Sequence, residues 1–139
     1  MTQERLQRLL TREGRPSAAW EWMGFEILDV AEGRARLAMT CRPEMTNVQG
    51  VTHGGFLSTL ADSVMGLTMA SALPDGERHY SFDLKVTFVS PAEIGDRLVA
   101  DGRLLHAGRR TGVCEARIEG PGRRLVATST ASFILYLPG

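Results

Sequence analysis

His53-Gly54-Gly55 and Asp62 are the positions where this chain concentrates residue types able to do chemistry. The tripeptide stands where a long apolar segment begins. A helix starting there would offer free backbone N–H groups and a partial positive charge to an oxygen bearing negative charge. Glycine lets a ligand approach that backbone closely. The same three residues also suit a tight loop in which His53 satisfies a local carbonyl, so the tripeptide alone leaves both readings open. Asp62 is the only ionisable residue between Gly54 and Ser71. A carboxylate desolvated inside an apolar helix is costly and is a stronger base than one in water, able to take a proton from water or to attack a carbonyl. The competing reading is an Asp hydrogen-bonded to a nearby Ser, Thr or backbone amide.

On a helix, the eight residues from Gly54 to Asp62 rise about 12 Å, farther than an Asp side chain reaches. One helix cannot complete such a site alone. Two copies running antiparallel about a two-fold axis can bring Asp62 of one beside the Gly54-Gly55 amides of the other. An obligate homodimer with two equivalent sites is therefore expected.

The elements that must hold these residues are legible along the chain. Leu6, Leu9 and Leu10 fall at helical spacing between Thr2 and about Arg12, predicting an amphipathic N-terminal helix. Gly14, Pro16 and two tryptophans follow, and residues 1–22 are read as a helical segment packed on the rest. Phe25 to Val30 and the alternating run Arg34 to Cys41 predict a hairpin around Glu32-Gly33. Gly54 to about Ala72 is the one long helix, apolar around nearly its whole circumference, so full burial is expected. Pro74, Asp75 and Gly76 end it. Four more strands are predicted over Tyr80–Val89, Arg97–Leu105, Thr111–Glu119 and Arg124–Leu137. In the first of these, Phe82, Leu84, Val86 and Phe88 are expected on a packed face and Ser81, Asp83, Lys85 and Thr87 on an open one.

The 139 residues fit a single domain. This element order gives an α+β domain in which an antiparallel sheet covers one buried helix. It lacks the crossover helices of a nucleotide-binding parallel sheet. Sixteen basic residues balance sixteen acidic ones, which removes the electrostatic footprint of a nucleic-acid or anionic-membrane partner. No apolar run is long enough to span a bilayer and the first residues lack a signal peptide's apolar region, so a cytoplasmic protein is expected. Cys41 and Cys114 form neither a CxxC pair nor a metal set and are read as buried reduced thiols. No metal and no cofactor are expected.

Asn47, Gly50, His53-Gly54-Gly55 and Leu60-Ala61-Asp62, followed by SFDLKVTFVSPAEIGD at residues 81–96, resemble the hotdog-fold acyl-CoA thioesterases of the PaaI-like, phenylacetic acid degradation branch. The likeness covers roughly residues 20–137. It implies a hotdog fold, a homodimer with a continuous sheet and an assembly of two such dimers. It also implies hydrolysis of an acyl-CoA, with an aryl or arylacetyl group first and a medium-chain acyl group second. By the same resemblance Asp62 is the catalytic carboxylate, Gly54 or Gly55 the oxyanion donor, and Asn47 and His53 position the thioester or the water. Ser81 matches a position that orients the water in some relatives.

Acyl selectivity is expected from residues such as Met65, Met69 and Phe88. Arg109 and Arg110, in the turn AGRRTG, could meet coenzyme A phosphates; a solvated turn is the other reading, since Lys85 is the only lysine and arginines are common here. His79 and His106 are read as surface or strand-end residues. A non-catalytic acyl-CoA sensor is the rival from another class, and the cost of placing Asp62 in an apolar helix argues against it.

Overall fold

The computed structural model describes residues 2–11 and 17–139, so Arg12, Gly14 and Pro16 lie outside the described residues. Two short helices, α1 (Gln3–Thr11) and α2 (Ala18–Met23), precede the hairpin of β1 (Glu26–Ala31) and β2 (Arg34–Thr40). The long helix α3 (Gly54–Ser71) follows, then β3 (Arg78–Phe88), β4 (Arg97–Ala107), β5 (Thr111–Glu119) and β6 (Leu125–Tyr136). The six strands form one antiparallel sheet in the order β1-β2-β4-β5-β6-β3. Strands β1 and β3 are its edges.

Ala35, Leu37 and Met39 of β2 are buried and Arg34 and Thr40 exposed, as the alternation predicts, but Ala38 on the second face is buried as well. These side chains meet Leu57, Leu60, Ala61, Val64, Met65 and Met69 of α3 in one core with Leu98, Ile118, Val126 and Phe133. Full burial of each such side chain contributes roughly 1.5–3 kcal/mol. The helix lies close enough to the sheet that a Cβ on Gly102 of β4 would stand 3.1 Å from the Val64 carbonyl oxygen and closer still to Thr68. The free thiols Cys41 and Cys114 are both buried.

The N-terminal helices attach to the end of α3. Arg5 donates to the Ala70 carbonyl at 2.6 Å, where the last turns of a helix leave carbonyls without partners, and both Arg5 and Arg8 pair with Asp75. Ser17 caps α2 by accepting from the Trp20 N–H at 3.3 Å, and Gly24 ends it in the left-handed conformation.

Two expectations change. Helix α3 is not buried on all sides: Gly55 and Thr59 are exposed, and Asp62, Ser63 and Gly66 are half-buried. These residues recur every three or four positions and form one stripe beside the fully buried face of the helix. The second correction concerns β3. Its pairing with β6 joins Ser81 to Phe133 and Asp83 to Ser132, so Phe82 is an extra, bulged residue. Alternation therefore changes phase at Phe82, and Ser81 shares the inward face with Leu84, Val86 and Phe88, which pair with Ala131, Ser129 and Ala127. That face is only partly packed, with Leu84 39% and Phe88 52% exposed, because β3 lies at the sheet's margin beyond the helix.

Candidate active site

The loop before α3 is built by Asn47. Its Oδ1 accepts from the Gln49 and Val51 N–H groups at 2.9 and 3.2 Å, and Gly50 closes the turn at φ 83°. Backbone bonds from Thr52 to Ala92 and from His53 to Met45 pin the loop's exit. Asn47 thus shapes the segment that delivers His53 to the helix.

His53 is the N-cap of α3. Its Nδ1 accepts from the Gly55 N–H at 2.9 Å and its carbonyl from the Phe56 N–H at 3.0 Å. A ring whose Nδ1 accepts holds its proton on Nε2. With Gly55 engaged, the Gly54 N–H is the first-turn amide with no acceptor among the described residues. Gly54 also lies under the Phe88 ring, where a Cβ would stand 2.8 Å from Cζ. Phe56, in the same turn, stacks on Trp22 at 5.8 Å, and Arg42 covers the other ring at 4.6 Å.

Two turns farther along, Asp62 opens on a cavity of about 420 Å³. Gly66 and Leu67 continue its wall on α3, His79 and Ser81 supply β3's side, Phe133 comes from β6, and Leu9 and Trp20 close it from the N-terminal helices. Among the described residues the Asp62 carboxylate has no hydrogen-bond or ion-pair partner. Ser58 and Thr59 instead turn their hydroxyls back to the Gly54 and Gly55 carbonyls, both at 2.9 Å.

The structure thus brings Asp62 and Ser81 to one cavity, and Asn47, His53, Gly54 and Gly55 to another region at the start of α3. Met65 belongs to neither: it is fully buried, with its sulfur 3.9 Å from Ser129 Oγ. Met69 is likewise in the core, against Gly112. Both sit on the sheet side of the helix, away from the cavity. Arg109 and Arg110 are exposed in the β4–β5 turn beside Leu137. The neighbouring Gly112 contacts Met69 near the end of α3, which sets that turn at the opposite end of the helix from Gly54.

His79 lies at the start of β3, the strand-end place read for it, but it is not a surface residue. Its side chain is 14% exposed, its Nδ1 lies 2.9 Å from Oε2 of the fully buried Glu77, and its Nε2 lies 2.9 Å from the Gly66 carbonyl oxygen. The i, i+2 spacing of Glu77 and His79 was the available sequence signal; β3 had been expected to start only at Tyr80.

A model of the thioesterase superfamily matches residues 49–127. The acyl-coenzyme A thioesterase PaaI of Escherichia coli is 30% identical over 105 residues, covering 76% of this chain and 73% of PaaI. The structure of the E. coli PaaI protein from the phenylacetic acid degradation operon superposes with a TM-score of 0.86 at 25% identity, covering 94% of this chain and 93% of that one. A hypothetical thioesterase protein from Streptococcus pneumoniae, solved with coenzyme A, superposes with a TM-score of 0.75 at 25% identity, over 81% of this chain and 85% of that one. The antiparallel sheet packed on one long helix is the hotdog architecture that these proteins share. With more than half of its length matched, including His53, Gly54, Asp62 and Ser81, the chain belongs to the thioesterase superfamily.

Proposed function

We propose that the protein hydrolyses acyl-coenzyme A thioesters to the free carboxylic acid and coenzyme A. The observation that carries this reading is Asp62, a carboxylate without a partner among the described residues, on the wall of a cavity that joins apolar side chains to polar ones. In the water-activating form, Asp62 takes a proton from water as its oxygen attacks the thioester carbon. The Gly54 N–H stabilises the resulting oxyanion, whose collapse breaks the C–S bond. The thiolate leaves with little acid assistance and recovers a proton. Direct attack by Asp62 would form an anhydride that water then opens, with the same products. Ser81 would orient the water, and Asn47 and His53 would shape the loop that holds the thioester. Arg109 and Arg110 remain candidates for the coenzyme's phosphates. Met65 would influence acyl fit only from behind the helix.

The separation of Asp62 from Gly54 supports a homodimer. The two groups lie about 12 Å apart along one helix, so each site would take its carboxylate from one subunit and its amide from the other. The free margin of β3, with Phe82 61% exposed, supplies an edge that would otherwise invite uncontrolled pairing. Two such dimers could assemble further. The apolar walls Leu9, Leu67, Trp20 and Phe133 suit an aryl or arylacetyl group, with medium-chain acyl groups second. The name of E. coli PaaI and the coenzyme A in the S. pneumoniae structure support the substrate class. Among the described residues no helix is long and apolar enough to cross a membrane. The buried thiols suit a reducing cytoplasm.

The test is thiol release from a panel of aryl, arylacetyl and straight-chain acyl-CoAs, with wild type beside Asp62→Asn. Hydrolysis that disappears in the variant supports the proposal. Tight binding without turnover in either protein would favour an acyl-CoA sensor instead.

A further inference from the structure

We infer that His79 is a positioning residue that sets Asp62 against Ser81. The inference rests on the proposed role of Asp62. In an α-helix the Gly66 N–H bonds back to the Asp62 carbonyl, so these two residues bound one helical turn. His79 grips the end of that turn through Nε2, 2.9 Å from the Gly66 carbonyl oxygen. It also precedes Ser81 by two residues on the inward face of β3, before the bulge, so both line the cavity that Asp62 enters. Among the described residues, this is the hydrogen bond that joins α3 to β3.

The ring is itself held. Glu77, 0% exposed, lies 2.9 Å from Nδ1, and Phe133 meets the imidazole edge-on at a centroid distance of 5.6 Å. The Gly66 carbonyl can only accept, so Nε2 donates to it, and the ring spans the gap between that carbonyl and the Glu77 carboxyl as a rigid strut. Burying a carboxylate behind a histidine is a costly way to fill a core. What it gains is control over the distance between the carboxylate on α3 and the hydroxyl on β3. An error of about 1 Å in such an arrangement costs on the order of a hundredfold in rate.

The experiment compares His79→Asn with His79→Gln. Asn keeps a donor near Glu77 but is too short for Gly66, whereas Gln extends a donor toward Gly66 and loses the Nδ1 contact. Steady-state hydrolysis of the best acyl-CoA should show kcat of the Asn variant reduced by about 10- to 100-fold with KM within about twofold. The Gln variant should recover kcat to within about threefold of wild type despite a comparable fall in Tm. Equal kcat in the two variants, or losses that follow Tm alone, would reduce His79 to a structural brace. If the Asn variant does not fold, a folded Gln variant with kcat as low as that of Asp62→Asn overturns the inference. Asp62→Asn is run in parallel: activity there defeats the underlying mechanism, while an inactive Asp62→Asn beside a fully active His79→Asn defeats only the role of His79.

Discussion

The ring of Phe88 lies over Gly54 so closely that a Cβ on the glycine would stand 2.8 Å from Cζ. The absence of a side chain at the start of α3 is therefore tied to the last residue of an edge strand. Gly54→Ala should cost up to about 1 kcal/mol of stability, since the atom it meets is the outer end of the half-exposed Phe88 ring, which can swing aside. Adding Phe88→Ala should recover most of it, read by urea denaturation as a coupling between the two sites. Simple additivity would show that the contact is not the source of the loss.

Among the described residues Asp62 makes no interaction that its amide would lose. Asp62→Asn should lower kcat at least about a hundredfold while leaving unfolding free energy within about 0.5 kcal/mol. A large loss of stability, measured in the same denaturation experiment, would mean that the carboxylate is structural.

Ser81 is turned toward the cavity by the bulge rather than by the simple alternation of its strand. Ser81→Ala should reduce kcat by roughly tenfold if the hydroxyl orients the attacking water, with little effect on folding. Wild-type turnover would assign that task elsewhere.

A site divided between subunits can be rebuilt from two inactive ones. Proline at the first helical position removes the amide donor and is tolerated there, so Gly54→Pro combined with Phe88→Ala should be inactive but folded. Co-refolded in equal amounts with Asp62→Asn, it should restore about a quarter of wild-type sites, since half of the dimers are mixed and each carries one intact pair. No recovery in a demonstrated mixed dimer would mean that each subunit builds its site alone.

Burial pushes the Cys114 thiol up to about 12, and burial chiefly raises Cys41 as well. An unfolded thiol ionises near 8.5. Between about 8.5 and 12 the unfolded chain loses a proton that the folded chain keeps, so stability falls as pH rises through that window. Cys114→Ala should flatten this alkaline decline, measured as unfolding free energy at several pH values. An unchanged slope would mean that other groups control it.

Much of the arrangement is legible in the residues. The alternation of Ala35, Leu37 and Met39, the breaker Pro74-Asp75-Gly76 and the apolar run from Phe56 to Met69 each encode local structure through periodicity. The distance from Gly54 to Asp62 follows from helical rise alone. What periodicity misreads is what depends on neighbours. Thr59, Asp62, Ser63 and Gly66 are small or polar but scattered in the sequence, and only the sheet's coverage shows that they form one open stripe. His79 has no ligand-like partner in sequence apart from Glu77; its other partner is a backbone carbonyl on a different element, invisible to any reading of side-chain types. The same holds for Met65, whose polarisable side chain fits a pocket as well as a core until the helix is rotated into place.

The extra residue at Phe82 works like a frameshift written in side-chain direction. Upstream of it, the odd-numbered positions His79 and Ser81 take the inward face and reach the cavity; downstream, the even-numbered positions from Leu84 to Phe88 take that face. The strand is consequently two modules with independent phases, one available to reaction geometry and the other to packing and edge pairing. Moving the bulge by a single residue would exchange a cavity-facing side chain for a solvent-facing one without altering the amino-acid composition at all.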